Sequence, residues 1–307
     1  MTRRTVRNGG ADLAVFEQNA GTKPTVLLVH GYPDTHRVWD ELADLLAERF
    51  HVVRYDTRGV GASTAPSGPG AFHLDELAAD LGAVAHAVSP DEPVHLIGHD
   101  WGAFQCWAAC AAPALQGRIA SYTAVAGPRL DDASSMLEGL TLRRALAIAR
   151  QARRSAYIAL AQIPRLPEAM MRRSLADRWP DAMRRREGIE PREGHPAATL
   201  VDDAVAGLAL YRTNMSLRRP PAVPVDVPVQ LLVPTEDRYI TPFVYEHAER
   251  WAVRLWRRDL RAGHWVQRSH PADVARAGSE LIDHVEGAPE EPALRRARCD
   301  ASPSPAP

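Results

Sequence analysis

Lysine is almost missing from this chain: Lys23 is the single one among 37 basic residues, and arginine supplies the rest. That bias reads as GC-rich coding before any functional meaning. Cysteine is scarce too. Cys106, Cys110 and Cys299 cannot make a disulfide framework. Cys106 and Cys110 stand four apart, on one face of a helix, where small core residues of a reduced, cytoplasmic protein are expected. No apolar run approaches the ~20 residues of a membrane span. The arginines of the opening MTRRTVRNGG lead into no apolar segment, so no secretory signal is expected. Net charge is only −1, so no overall field recruits nucleic acid or an anionic membrane. There is no G-x-S-x-G serine elbow, and neither H-E-x-x-H nor C-x-x-C to suggest a metal. Gly59-Val60-Gly61-Ala62-Ser63-Thr64 lacks the third glycine of a dinucleotide fingerprint and opens into a Pro/Gly loop. Neither a metal nor an organic cofactor is expected.

What is present centres on Val94-His95-Leu96-Ile97-Gly98-His99-Asp100-Trp101-Gly102-Ala103-Phe104. An apolar strand runs into Gly98, and an Ala-rich helical run leaves Gly102. G-x-D-x-G between them has the spacing of a strand-turn-helix nucleophile elbow, with a carboxylate where esterases carry serine. A turn this sharp leaves no room for side chains beside its apex, hence the flanking glycines.

The composition, 45% hydrophobic and 24% charged over 307 residues, suits one large α/β domain or two small ones with a full core. Residues 5–7 and 12–18 read as strands around an Asn8-Gly9-Gly10 turn. Residues 25–29, 51–56, 94–98 and 119–126 are strands alternating with helices over 38–48, 74–88 and after Gly102. This is the pattern of a parallel sheet covered on both faces. The rhythm stops at Pro128 and returns at Val229. The interval is helix-rich and punctuated by proline, as expected of a lid over a site at the sheet's edge. It carries 17 Arg against 11 Asp and Glu from 129 to 219, a balance that fits solvated helix faces, docking onto an acidic body, or an acidic substrate. Strands over 229–234 and 254–260 frame a helix expected over 242–252, and a last helix runs from 272 to 284. Beyond Gly287 the tail has little to bury and is expected to be disordered. The expected division is thus a core of 1–128 and 221–286, a helical cap of 129–220 and a disordered tail of 287–307.

Asp100, Asp237 and His264 each follow a strand of this sheet, at the edge where open α/β sheets form ligand sites. Their order, nucleophile then acid then histidine, is that of α/β-hydrolases. Glu236, beside Asp237, and the loop after 119–126 offer rival positions for the acid. A carboxylate with an intrinsic pKa of about 3.9 is ionised at neutral pH. It can attack an sp³ carbon directly to form an alkyl ester, whereas an ester substrate would trap it as an anhydride. Asp100 therefore points to epoxide opening or halide displacement. His30 is expected to brace its loop, and His99 to pack beneath the elbow.

Together, His30-Gly31-Tyr32-Pro33, Gly98-His99-Asp100-Trp101-Gly102, Asp237 and Gly263-His264-Trp265 make the chain resemble, over roughly residues 5–286, the epoxide hydrolases of the α/β-hydrolase superfamily. The detailed wording is similar to the hydrolase half of actinobacterial two-domain proteins that carry a short-chain dehydrogenase domain behind it. No such domain is present in this sequence, and the tail is expected to be a vestigial or shortened linker. The resemblance implies an α/β-hydrolase fold, with a mostly parallel sheet of about eight strands, flanking helices and an inserted helical lid. It also implies two lid tyrosines. Tyr211 lies in Leu210-Tyr211-Arg212-Thr213-Asn214, where Leu210 replaces the family's tryptophan. Tyr157 precedes Ala161-Gln162-Ile163-Pro164, where Ala161 replaces its phenylalanine. Phenols suit an opening epoxide, whose alkoxide needs a proton, better than a departing halide. The main-chain N–H groups of Tyr32 and Trp101 are the implied oxyanion donors. The expected substrate is an apolar or amphipathic small-molecule epoxide. A haloalkane or haloacid dehalogenase on the same triad and a non-catalytic binding protein on a hydrolase scaffold are the alternatives. Oligomeric state is unreadable.

Overall fold

The computed structural model describes residues 1–22, 24–66, 68, 70–130, 141–215 and 223–299. Strands β1 (Thr2–Asn8) and β2 (Ala11–Gln18) pair antiparallel, with Asn8 opposite Ala11. Gly9 and Gly10 between them hold φ of 53° and 81°, as a tight two-residue hairpin turn requires. β1 begins earlier than residue 5, because pairing along β2 extends it although Val6 is its one buried residue.

Strands β3 (Thr25–Val29) and β4 (His51–Tyr55) are buried along their whole length. Between them a single tight turn, His36–Trp39, leads into α1 (Asp40–Ala47). There follow α2 (Leu74–Val88), β5 (Val94–His99), α3 (Trp101–Ala111) and β6 (Ile119–Val125). Alternate residues of β3 feed two cores. Leu27 and Val29 join Leu81, Val84 and Cys106 on the α2–α3 side, while Val26 and Leu28 join Leu42 of α1 on the other. Two-sided burial is why these strands read as unbroken apolar runs.

From β6 to residue 229 the described elements are helical: α4 (Leu142–Arg154), α5 (Ala156–Ala161), α6 (Leu166–Ala182) and α7 (Leu200–Asn214), with isolated bridges between Arg192 and His195 and from Val225 to Ala252. Residues 131–140 and 216–222, and with them the boundary expected at 220/221, lie outside the described residues. Buried and half-buried polar contacts join this helical part to the body. Arg192 pairs with Asp40 at 2.9 Å and Glu41 at 2.6 Å, and His195 meets Asp34 at 3.1 Å.

The sheet resumes with β7 (Val229–Pro234) and β8 (Leu255–Leu260). The helix expected over 242–252 is instead two short turns, Pro242–Tyr245 and Ala248–Arg250. Tyr245, Ala248 and Trp251 are all buried. A spacing of three suits 3-10 turns, in which residues i and i+3 eclipse. The chain continues through α8 (Val266–Ser269), α9 (Pro271–Val285) and α10 (Pro292–Arg296). The last corrects the expectation of a tail disordered from 287. Leu294 is fully buried against Trp256 and Leu281. The N–H groups of Arg257 and Cys299 donate to Ala297 O and Leu255 O at 2.7 and 2.8 Å. One leucine in a polar stretch carries no compositional signal, yet it lets the tail cover the open edge of β8. Residues 300–307 lie outside the described residues.

The eight strands run in the order β1-β2-β4-β3-β5-β6-β7-β8, parallel from β4 onward. Central strands β3 and β5 therefore end side by side, and the loops after β3, β5, β7 and β8 open at one edge of the sheet.

Candidate active site

Asp100 stands between β5 and α3 with φ 51° and ψ −120°. A non-glycine residue held there stores on the order of 1–3 kcal/mol of strain, a cost met by the surrounding structure. That structure is the close approach the two glycines permit. A Cβ at Gly102 would collide with the Val29 carbonyl oxygen, and one at Gly98 would lie 2.8 Å from the Cys106 sulfur. The apex is tied down by Asp100 N–H donating to Val125 O at 3.2 Å and by Phe104 N–H donating to Asp100 O at 3.2 Å. Its carboxylate is nearly buried, at 8% exposure. The Tyr32 N–H donates to Asp100 Oδ1 at 2.9 Å. Asp100 Oδ2 faces His264 Nε2 at 3.5 Å. The two oxygens are thus distinguished: one held by the chain, one free to react.

His264 follows β8 and is buried. Its Nδ1 lies 2.7 Å from Asp237 Oδ2. Asp237 Oδ1 accepts the N–H groups of Tyr239 at 2.6 Å and Ile240 at 3.0 Å, so the carboxylate cannot swing away. Its neighbour Glu236 points outward to an ion pair with Arg261 at 2.8 Å. The loop after β6, the other rival position for the acid, runs into residues outside the described set. Burial alone would depress the His264 pKa. Asp237 and Asp100 outweigh it and hold the imidazole well above its ordinary range, which favours its protonated form. His99 takes the opposite course. Burial and the adjacent His264 charge push it down to about 4, and its Nε2 donates to His264 O at 3.0 Å as it packs under the loop. His30 Nε2 accepts the Thr57 N–H at 3.0 Å, bracing its loop.

Above this group stand the tyrosines. Tyr157 is the second residue of α5 and Tyr211 lies in the last turn of α7. Their rings meet edge-on with centroids 5.7 Å apart. Tyr211 also packs edge-on against Trp101 at 5.0 Å and Tyr32 at 5.3 Å. Tyr211 is buried, whereas Tyr157 is 38% exposed. Burial raises both phenols, and the Asp100 charge adds to the rise in each, so both stay protonated donors at neutral pH. The Tyr32 hydroxyl is spent elsewhere, donating to Ala204 O at 2.9 Å. All seven residues singled out in the sequence converge on one place.

Two further groups belong to the site and had no distinctive signal. Tyr239 packs 4.9 Å from the His264 ring and 5.9 Å from Tyr157, closing the aromatic wall; only its nearness to Asp237 in sequence could have pointed to it. Glu187 ends the turn Met183–Glu187 after α6, is 8% exposed, and accepts the Trp265 N–H at 3.4 Å. A Cβ at Gly263 would run into its carboxylate. Burial pushes its pKa up, partly offset by the His264 charge and the Trp265 N–H. In the sequence it is one acid in an arginine run, indistinguishable from a solvated one. Among the described residues no cluster of His, Cys, Asp and Glu could hold a metal ion, and no helix is long and apolar enough to cross a membrane.

A family model described as the alpha/beta hydrolase fold matches residues 24–271. Among curated proteins, "Probable oxidoreductase EphD" of Mycobacterium tuberculosis is 39% identical over 97% of this chain. The chain spans only 52% of that relative's length. Epoxide hydrolase A of the same organism is 35% identical over 131 residues, 42% of this chain and 39% of that protein. Among solved structures, the epoxide hydrolase of Bacillus megaterium in complex with an inhibitor superposes with a TM-score of 0.76 at 20% identity, covering 91% of this chain and 100% of that one. This last likeness is one of fold.

Proposed function

The chain belongs to the α/β-hydrolase fold family, and we propose that within it this protein is an epoxide hydrolase, converting an apolar or amphipathic epoxide to a vicinal diol through an alkyl ester on Asp100. The observation that carries the reading is the pairing of an ionisable carboxylate at the elbow with two protonated phenols across the site from it. An esterase has no use for the first. A dehalogenase has no use for the second.

Tyr157 and Tyr211 hold the epoxide oxygen while Asp100 Oδ2 attacks a ring carbon from the opposite side; the C–O bond of the ring breaks and the ester bond forms. The alkoxide takes a proton from a phenol, which is reprotonated from solvent. Esterification removes the Asp100 charge, one of the two carboxylates that keep His264 protonated, so the imidazole becomes neutral and basic when a base is needed. It then takes a proton from a water that attacks Asp100 Cγ. The developing oxyanion is Oδ1, already facing the Tyr32 N–H. A donor in that place is typically worth ~3 kcal/mol; the Trp101 N–H, at the start of α3, is the second donor in this reading. Collapse breaks the ester bond, the departing alkoxide takes the proton left on the new carboxyl group, and the diol leaves with Asp100 ionised and His264 protonated again. The cycle closes on the resting charges and calls on no metal or organic cofactor.

The test is an intact-mass measurement of the protein and its His264→Gln variant after incubation with a panel of epoxides. The expected result is an adduct of epoxide mass on Asp100 that accumulates in the variant and turns over in the parent. A variant that neither traps an adduct nor loses diol formation defeats the mechanism, and dehalogenation of chloro- or bromoalkanes with epoxides inert would transfer the site to halide chemistry.

A further inference from the structure

Helix α4 turns several polar groups toward the body and both of its leucines toward solvent. Its inward side is polar: Arg144 pairs with Glu246 at 3.0 Å, Gln151 donates to Tyr239 O at 2.9 Å and accepts the Thr241 N–H at 2.9 Å, and Arg154 donates to Asp237 O. Its outward side mixes apolar residues with arginines. Leu142 and Leu146 are 79% and 64% exposed, and Ala149 and Ala152 are exposed with them. At 100° per residue these four lie within one continuous arc, and Arg143, Arg150 and Arg153 stand exposed within or along its edge. The helix, LRRALAIARQARR, has five arginines and no acid. A surface helix ordinarily turns its apolar stripe to the core. This one turns it to the outside because the contacts that orient it are hydrogen bonds and an ion pair to the loop carrying Asp237 and Tyr239.

We propose that the outward face of α4 docks on an anionic lipid surface, the leucines entering the headgroup–acyl boundary and Arg143, Arg150 and Arg153 reaching phosphates. Charge decides among the occupants. A second copy packed face to face across a two-fold would set the same arginines against one another, a like-charge contact that opposes pairing. Nucleic acid satisfies the arginines but leaves the leucines in water. An anionic interface takes both, since arginine keeps its head among phosphates while its stem covers apolar surface. The balance of −1 over the whole chain hides this patch, because the charge is local. One helix of this length gives reversible association, not anchoring. α5 follows α4 after a single residue and carries half-exposed Tyr157, so on the epoxide-hydrolase reading the docked face lies close in sequence to the open side of the site. The docking itself does not depend on that reading.

Sedimentation with vesicles tests it without any turnover, using equal parts phosphatidylglycerol and phosphatidylcholine against phosphatidylcholine alone. The parent protein is expected in the pellet with anionic vesicles, less so as salt rises, and in the supernatant with neutral ones. Arg143→Gln with Arg150→Gln is expected to weaken partition roughly thirtyfold, at about one unit of surface attraction per arginine. Leu142→Ser with Leu146→Ser is expected to weaken it about tenfold or more, while circular dichroism and turnover of a small water-soluble substrate stay unchanged. The proposal is overturned by no partition onto anionic vesicles at low salt, by equal partition onto neutral ones, or by full partition in both double variants. A self-association seen in ultracentrifugation and abolished by the leucine variants, without vesicle binding, assigns the face to a second copy and overturns it as well.

Discussion

His264 Nε2 lies 3.5 Å from Asp100 Oδ2, on the side of the carboxylate opposite the Oδ1 that Tyr32 N–H holds. In the proposed mechanism the attacking oxygen and the base thus share one face of the site, while the other oxygen already faces a donor. A carboxylate bridging base and donor can be esterified on one oxygen without losing the other's contact. The predictions below follow from that division and from the groups around it.

The charge on His264 makes stability depend on pH in a definite sense. Its pKa is raised well above the unfolded value of about 6.5 by Asp237 and Asp100, against the lowering by burial. A group raised on folding contributes fully below its unfolded pKa and loses that contribution as pH rises through the folded one. The gap in denaturation midpoint between the parent and His264→Gln is therefore expected to be widest near pH 6 and to shrink toward strongly alkaline pH. A gap that widens with pH would mean the imidazole is neutral at rest.

Asp237→Asn keeps the shape of the acid but not its charge. Alkylation of Asp100 is expected to persist, while release of diol falls by about 10³–10⁴-fold, since the imidazole loses both its orientation and its counter-charge. Rapid-quench measurement of adduct and product separates the two steps.

Tyr211 is buried and Tyr157 is half in solvent. Removing the hydroxyl from either is expected to slow ring opening by about 10²-fold, and removing both by more than either alone, with the fold unchanged. The effect of Tyr211→Phe should be the larger, because no water can replace its hydroxyl as readily. Single-turnover rates with an epoxide check this; absent effects place the donors elsewhere.

Glu187 gives the opposite kind of variant. Its folded pKa is raised, chiefly by burial, above the unfolded value of about 4.3. Its favourable contribution is present below that value and is lost as pH rises through the folded pKa. Glu187→Gln is accordingly expected to raise the thermal midpoint at pH 7 and to leave it little changed at pH 4. A variant less stable at both would mean that the carboxylate is tied into the loop of His264 more tightly than its 3.4 Å contact to Trp265 N–H implies.

Gly102→Ala is a test of the elbow. Its methyl group would have to displace the Val29 backbone oxygen, and overpacking against backbone costs about 1–3 kcal/mol or more. Chemical denaturation should report that loss together with a fall in adduct formation, because the strand that moves carries Tyr32 just beyond it.

Sequence alone determined the elements whose reasons are local. The runs over residues 25–29 and 229–234 read as strands buried on both faces, and the glycines around Asp100 read as an elbow. Asp237 and His264 were legible because strand ends of a parallel sheet meet at one edge, so sequence order fixes position. Tertiary structure decided what depends on partners remote in the chain. It set which carboxylate reaches the His264 ring, Asp237 and not Glu236, and brought two acids from two loops to that ring. It ordered residues 287–299, through one leucine finding a pocket beside Trp256. It also placed Glu187 against Gly263 and turned α4 outward. Neither of those last two can be read from residue spacing, because burial and orientation there are imposed by distant hydrogen-bond partners, to which a helical period is blind.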